Sequence, residues 1–519
     1  MNFKYSEWPP AISKSQLENL SIHATTYALA HAFLYLPSGT TQPPLPASAI
    51  HAPFALLPSP FPRALFVEAK KLQRLFNVLY AQIAMDDEFL DTFMGAEHGL
   101  GRVDDFVGQL WKGWKQLREE GIAQPLHLGI FRSDYLLHST SENQYLLKQV
   151  EFNTISSSFG ALSQRVSELH RYLFRLTNYY NLSPFLKFDS FPDNDTISTI
   201  AEGLVAAHSA YGVPGAWVLF VVQSHERNIF DQRLIEYHLF ERHQIRVIRQ
   251  SLEQLMSTAA VDSKTRCLHI SQDIGQVEVS VIYYRTGYTS LDYATSNDYA
   301  TRILLERSRA IKCPTIALQL AGGKKIQQVL TQPGILERFL CDPKRGVVLP
   351  PDDIEALRNT FMEMWSLEVG PGGVTPDDEA TGAGGEHYGV RRAREQAHSL
   401  VLKPQREGGG NNVYKEDIHE FLDKLEPEQR QAWIAMRLIM PPEGVGNYLV
   451  RATNEHQGPV KTDVISELGI YGWALFGNSG ETLIEKEGGW LLRTKGKGTN
   501  EGGVASGFSV LDSVLLIDD

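Results

Sequence analysis

The stretch VLKPQREGGGNNVY, residues 401–414, sets a lysine, an arginine and a glutamate directly against three consecutive glycines. Backbone without Cβ atoms can lay its N–H groups flush against phosphate oxygens. The surrounding pattern reads strand, Gly-Gly-Gly, strand, which is a hairpin and not a turn into a helix. Neither G-x-x-x-x-G-K followed by Ser or Thr nor G-x-G-x-x-G between strand and helix occurs here, so a P-loop and a dinucleotide fingerprint are set aside. Lys403 offers a point charge. Glu407 offers the carboxylate oxygen that hard Mg²⁺ prefers. Read alone, the stretch fits a surface turn with solvated charges equally well.

Working outward, 126–137 (LHLGIFRSDYLL) and 145–153 (YLLKQVEFN) read as strands. Period-two alternation puts Gln149, Glu151 and Asn153 on one face and Val150 and Phe152 on the other. Glu151 and Asn153 could share a metal there, although polar alternation also marks any exposed strand face. A second glycine-rich stretch, RTKGKGTNEGGVASG at 493–507, can present Arg493 and Lys495 to anions on a hinged loop, or be a plain C-terminal loop. Arg132 and Arg285 fall at or near strand ends, a usual position for carboxylate clamps. Lys312 precedes a helix break and is expected at the solvent. Glu467 is expected on an edge or exposed strand face.

The organisation is mixed. Residues 15–36 and 64–121 repeat apolar positions at helical spacing, with a proline-rich connection at 37–63 expected over the surface. Residues 216–250 read strand, helix, strand, and a further strand at 277–288 completes a small α/β unit. Residues 301–330 read as helix with a break at Cys313-Pro314. The segment 369–389 is rich in Gly, Pro and Asp, an insertion with no assigned role. Strand signals return at 462–476 and 490–495.

A chain of 519 residues suggests three or four domains or subdomains. The net charge of −12 argues against a general nucleic-acid or anionic-membrane binder. Cys267, Cys313 and Cys341 are dispersed and form no C-x-x-C pair, so neither a disulfide framework nor a thiolate zinc site is indicated. The opening MNFKYSEWPPAISKSQ lacks the apolar core of a signal peptide. No apolar run approaches about 18 residues. A cytoplasmic protein is expected. No H-E-x-x-H and no G-x-S-x-G elbow occurs, which disfavours zinc-protease and serine-hydrolase chemistry.

Taken in order, FRSDY (131–135), VEFNTISSSFGAL (150–162), ERNIFDQR (226–233), YRTGY (284–288), IKCPTIALQLAGGKK (311–325), VLKPQREGGGNNVY, SELGIYG (466–472) and LLRTK with GGVASG (491–507) resemble the eukaryotic glutathione synthetases of the ATP-grasp superfamily. The N-terminal third is similar only in being helical. The resemblance implies an α/β fold of mixed (α+β) character. Residues 1–215 would hold the helical part and the first core strands, and 216–318 an inserted parallel α/β substrate domain. Residues 319–519 would hold the ATP-grasp core, with a mobile lid at about 376–462. It implies a carbon–nitrogen ligase, homodimeric, joining γ-glutamylcysteine to glycine at the expense of ATP through an acyl phosphate. Glu151, Asn153 and Glu407 would hold Mg²⁺. ATP would be bound by Glu151, Lys312, Lys403, Gln405, Arg406, Glu407, Gly408, Gly409, Gly410, Asn411, Asn412, Tyr414, Met436, Arg437, Leu438, Ile439, Glu467, Lys495 and Glu501. The peptide and glycine would be bound by Arg132, Ile155, Ser156, Ser157, Ser158, Glu226, Arg227, Asn228, Gln232, Arg285, Thr286, Gly287, Tyr288, Arg493, Val504 and Ala505. Arg132, Arg493 and Lys403 would carry the chemistry.

Arg437 stands where the family usually has an acidic residue. Two alternatives remain in view. A related ligase could take β-alanine or serine, although small Val504 and Ala505 suit glycine. A catalytically silent nucleotide binder of this fold would be expected to have lost Glu151, Asn153, Glu407 or the lysines, and all are present.

Overall fold

The computed structural model describes residues 3–37, 39–40, 48–142, 144–367, 387–405, 411–452, 458–477, 482–498, 504 and 509–518. Among them, 13 strands join in one sheet and 4 in a second, smaller one.

The centre of the large sheet is antiparallel. The strand His127–Ser139 lies between Val460–Phe476 and Tyr145–Asn153, and Val460–Phe476 pairs on its other side with Thr482–Gly496. Residues opposite one another in such a ladder share a face. The register sets Arg132 against Asn153, Asp134 against Glu151 and Glu467 against Arg493. Covering this region is the helix Arg63–Ala84, whose Phe66, Leu72, Phe76, Leu79, Tyr80 and Ile83 are buried at helical spacing. It packs on Val460–Phe476 and Thr482–Gly496.

On one side the sheet continues as a parallel wing. Trp217–Val221 runs parallel to Val247–Gln250 and to Gly275–Tyr284, with the helix Ile229–His243 between the first two in sequence. Its WVLFV sequence is apolar throughout, as suits a strand covered on both faces.

The smaller sheet is antiparallel, in the order Met364–Ser366, Trp433–Arg437, Leu400–Pro404, Val413–Tyr414. One face has its own core, in which Trp365, Leu400, Leu402 and Ala435 pack with Val390 and Ala393 of the helix Tyr388–Glu395 and Ile418 and Leu422 of the helix Asp417–Lys424. The opposite face carries a separate apolar patch of Met362, Met364, Val401, Ile434 and Met436, flanked by Tyr414, Leu438 and Ile439.

Four expectations need correction. Ile311–Cys313 is not a gap in a helix but a strand parallel to Gly275–Tyr284, between the helices Ser296–Glu306 and Ile316–Ala321. The proline-rich segment is not all surface connection: Ala52, Phe54, Ala55, Leu56, Leu57 and Phe61 are buried, and Ser59–Pro62 pairs with Val514–Ile517. Apolar residues interleaved with the prolines explain this. Arg132 sits inside a strand of 13 residues, not at its end. Gln149 leaves the face of Glu151, because a bulge lets Tyr135 oppose Gln149 while Asp134 opposes Glu151, with Val150 the extra residue.

Candidate active site

Register alone brings several charged side chains to one face of the central strands. The Arg132 guanidinium donates through Nε and Nη2 to both oxygens of Asp134, at 2.6 and 2.7 Å. Asn153 Nδ2 and Arg493 Nη2 also donate to Asp134 Oδ2, each at 3.0 Å. Arg493 further donates to Glu467, its ladder neighbour. Gly469, opposite Asp134, permits this crowding, since a Cβ there would lie 2.8 Å from both Arg132 Cδ and Asp134 Oδ1.

Two lysines reach Glu151 from other elements. Lys324, first residue of the helix Lys324–Leu330, is buried with its Nζ 3.5 Å from Glu151 Oε2. The glycines before it allow the approach: a Cβ at Gly322 would sit 2.3 Å from Thr154 Oγ1, and one at Gly323 2.7 Å from Met94 Cε. Lys403, from the smaller sheet, donates at 3.1 Å to the carbonyl of Val150. The bulge residue thus offers its carbonyl to the lysine of the smaller sheet.

The electrostatics are strongly coupled. Burial pushes the Glu151 carboxyl upward, but Lys324, Lys403, Arg493 and Arg132 together hold it well below the usual carboxylate range. Glu467 goes the other way, raised by burial and by Asp134 and Glu151 against the pull of Arg493. The site therefore keeps Glu151 ionised among cations.

A second network adjoins the first. Arg132 Nη1 and the Tyr471 hydroxyl both donate to the Ser158 carbonyl, at 3.1 and 2.6 Å. Arg285 donates to the Ser157 carbonyl and to Ser158 Oγ, at 2.9 and 2.7 Å. Ser156 holds the turn with φ at 52°. The Asp231 carboxylate accepts from the backbone N–H of Phe159, Ala161 and Leu162, fixing the serine loop to the helix Gly160–Thr177. Asn228 donates to Asp231, while Glu226 accepts from the Asn228 backbone and from Gln232, which in turn accepts from Arg249. Tyr288 accepts from Gln223, Thr286 donates to Asp292 and the Gly287 carbonyl accepts from Gln319. Ile155, Asn153, Tyr288, Gln319 and Gln405 border a cavity of about 50 Å³. A larger opening of about 850 Å³ is lined by Glu88, Asp91, Thr92, Glu97, His98 and Arg102, none of which belongs to these networks. Chemistry, not volume, picks out the site.

A family model for the eukaryotic glutathione synthase ATP-binding domain matches residues 14–516. The glutathione synthetase of Xenopus laevis is 39% identical over 467 residues, covering 90% of this chain and 90% of the relative. This chain belongs to the eukaryotic glutathione synthases. The glutathione synthetase of Homo sapiens is 38% identical over 504 residues, covering 96% of this chain and 97% of the relative. A solved glutathione synthetase-like effector from Globodera pallida shares the fold, with a TM-score of 0.71 over 98% of each chain at 23% identity. The chain is accordingly a ligase of glutathione synthetase function with a mixed α/β, ATP-grasp-type fold.

As a eukaryotic glutathione synthase, the chain gathers Arg132, Glu151, Asn153, Lys403, Glu467 and Arg493 into one cluster. It gathers Ser156, Ser157, Ser158, Glu226, Asn228, Gln232 and Arg285 into the adjoining network. Gln405 Oε1 accepts from the Lys325 N–H, tying the smaller sheet to the core, and Asn412 donates to the Tyr414 hydroxyl. Met436, Leu438 and Ile439 belong to the apolar patch near Tyr414, whereas the Arg437 side chain turns out to Glu363, Gln396 and Ser399. Arg227 lies over the Tyr35 ring and donates to the Leu36 carbonyl. Val504 is buried, and Lys495 is half-buried opposite Ile465 and Ser509. Arg406, Glu407, Gly408, Gly409, Gly410, Glu501 and Ala505 lie outside the described residues.

Lys312 is not brought to the cluster around Glu151. It is buried, not solvent-facing, and its Nζ donates to the carbonyls of Ser308 and Ala310 at 2.7 and 3.0 Å. Burial lowers its pKa to about 8. Lys324 stands beside Glu151 instead, and the signal for it was the AGGKK sequence, glycines before a lysine at a helix start. Asp134 was also missed, although the period of two places it on the face of Arg132.

Proposed function

We propose that this chain joins γ-glutamylcysteine to glycine with ATP as phosphoryl donor. A carboxylate is a poor electrophile, so the cysteinyl carboxylate must first become an acyl phosphate, which the glycine amine then attacks as phosphate leaves. The first step asks mainly for positioning and charge neutralisation. Arg132 and Arg285, aimed at the serine loop, suit the carboxylates of the peptide, with Glu226, Asn228 and Gln232 beside them for its amine end. Arg493 suits the developing bond at the glycine end. Lys324 and Lys403 suit phosphate oxygens, and the Met436 patch with Tyr414 suits a flat purine. Val504, small and buried, suits a small acceptor.

Mg²⁺ fits the donor set. Glu151 is held ionised, and Asn153 spends its amide N–H bonds on Asp134 and the Arg132 carbonyl, which leaves its side-chain oxygen as an acceptor. Among the described residues no three His, Cys, Asp or Glu gather as a metal group, and the proposed third ligand, Glu407, lies outside them. When bound, Mg²⁺ would neutralise the charge of the transferring phosphoryl group. The same reading takes the protein as a cytoplasmic homodimer with neither nucleic-acid nor membrane partner. Family likeness supports the dimer, and no described helix is long and apolar enough to cross a membrane.

The observation that carries the proposal is the approach of Lys324 and Lys403 to Glu151, beside Arg132 and Arg493. A coupled assay of ADP release with γ-glutamylcysteine, and glycine, β-alanine or serine as acceptor, tests it. Glycine is expected to be preferred. ADP release that ignores peptide and acceptor alike would overturn it, and preference for β-alanine or serine would redirect it to the related ligases.

A further inference from the structure

One buried carboxylate joins Arg132, Asn153 and Arg493, and none of the roles above belongs to it. Asp134 is fully buried, and its two oxygens take four donated hydrogen bonds: two from Arg132, one from Asn153 and one from Arg493. Oδ2 takes three of these bonds and Oδ1 the fourth, so the carboxylate is engaged chiefly in holding its neighbours.

We propose that Asp134 is a positioning residue that sets the peptide clamp, the glycine-end arginine and the metal-facing amide together. The inference rests on the roles given above to Arg132, Arg493 and Asn153. Without the anion they share, the two guanidinium groups would repel each other and turn to Glu151 and Glu467, whose charges also act on them. Asn153 is oriented by the same group: its Nδ2 is committed to Asp134 Oδ2 and to the Arg132 carbonyl, so its oxygen points away from both. Gly469 is the other half of the device. It stands opposite Asp134 in the ladder and supplies the Cβ-free space in which Arg132 and Asp134 lie side by side. The motif SELGIYG therefore needs its first glycine for a contact across the sheet, beyond any need of its own backbone.

The consequence is a joint response. Arg132, Asn153 and Arg493 are spread over the sequence and are assigned to different ligands, yet one substitution should disturb all three functions. A residue that only stabilised the fold would lower the amount of active protein and leave the substrate dependences unchanged.

The test uses the full chain carrying Asp134→Asn, with Gly469→Ala as a second variant that keeps the carboxylate and crowds it. Steady-state assays give KM for γ-glutamylcysteine, KM for glycine and the half-saturating Mg²⁺ concentration. Titration calorimetry of γ-glutamylcysteine into the protein without nucleotide or metal gives a readout independent of turnover. Asp134→Asn is expected to raise all three kinetic constants, and the calorimetric Kd, by about tenfold or more, the scale of losing a charge-assisted hydrogen bond. Gly469→Ala is expected to raise the same constants by less, and it carries the test if Asp134→Asn does not fold. A fall in kcat with all three constants unchanged would overturn the proposal, as would a change confined to one of them. Wild-type protein inert with all three acceptors would instead overturn the functional reading on which the proposal stands.

Discussion

The two sheets contribute to the site in different ways. In the large sheet, Arg132, Asp134, Asn153, Glu467 and Arg493 are set by ladder register and bonded to one another before any ligand is considered. In the small sheet, Lys403 donates to the Val150 carbonyl and Gln405 accepts from the Lys325 N–H. The small sheet keeps its own core, and its second apolar patch faces away from that core. On the proposed reading, the peptide and metal side is built into the fold, while the nucleotide side is assembled by docking one element against another. Damage to the first should act on chemistry and to the second on nucleotide binding.

The largest effect is expected at Glu151. Glu151→Gln removes an anion held among four cations and should lower kcat/KM by about 10³ or more, read in the coupled ADP assay. A variant within tenfold of wild type would break the comparison at its core. Lys403→Met comes next, with kcat/KM for ATP lowered by about 10² and KM for the peptide unchanged within about threefold. Lys324→Met is expected to resemble it, because Lys324 faces the same carboxylate. Loss of peptide affinity in either variant would mean that the two sheets do not divide the work as described.

Asp512 probes the rigidity of the large sheet by pH. Burial raises its pKa to about 7, against hydrogen bonds from Ser59, Thr494 and the Ser513 N–H. The unfolded carboxyl titrates at about 4. Between those values the folded chain holds a proton that the unfolded chain releases, so this group's contribution to stability declines as pH rises from about 4 to about 7. Asp512→Asn removes that titration. The melting temperature of the variant relative to wild type should increase from pH 5 to pH 8, by several degrees; a constant difference would contradict the assignment.

Smaller effects follow at the two remaining sites. Arg437→Gln removes an outward ion pair with Glu363 of the kind worth about 0.2–1 kcal/mol. KM for ATP should change by no more than about threefold. Lys312→Met, in the core of the large sheet, should leave every kinetic constant within about twofold, since its ammonium is turned to backbone carbonyls. A hundredfold loss there would restore it to the phosphates.

What the sequence made legible follows from local periodicity. Arg132, Glu151, Asn153, Lys403, Glu467 and Arg493 all lie in runs whose strand character is plain, and alternation placed Glu151 with Asn153. Periodicity also misled at Gln149, because one inserted residue at Val150 reverses the face of everything before it, and nothing in YLLKQVEFN marks a bulge. The resemblance points to Lys312 and passes over Lys324, although both lie in the block IKCPTIALQLAGGKK. The parallel pairing of Ile311–Cys313 and the bonds of Lys312 to backbone carbonyls put the first in the core, and the approach of Lys324 to Glu151 puts the second at the cluster. Asp134 escaped notice because its role is to bind other site residues, and such roles have no signature of their own in a single strand.

The most direct measurement follows an oxygen atom. With the cysteinyl carboxylate of γ-glutamylcysteine labelled with heavy oxygen, a carboxylate that attacks the phosphoryl group gives up one labelled oxygen when phosphate leaves. Phosphate released during peptide synthesis from ATP and glycine should then carry one labelled oxygen per turnover. Unlabelled phosphate from the same turnover would contradict an acyl phosphate formed among Glu151, Lys324 and Lys403.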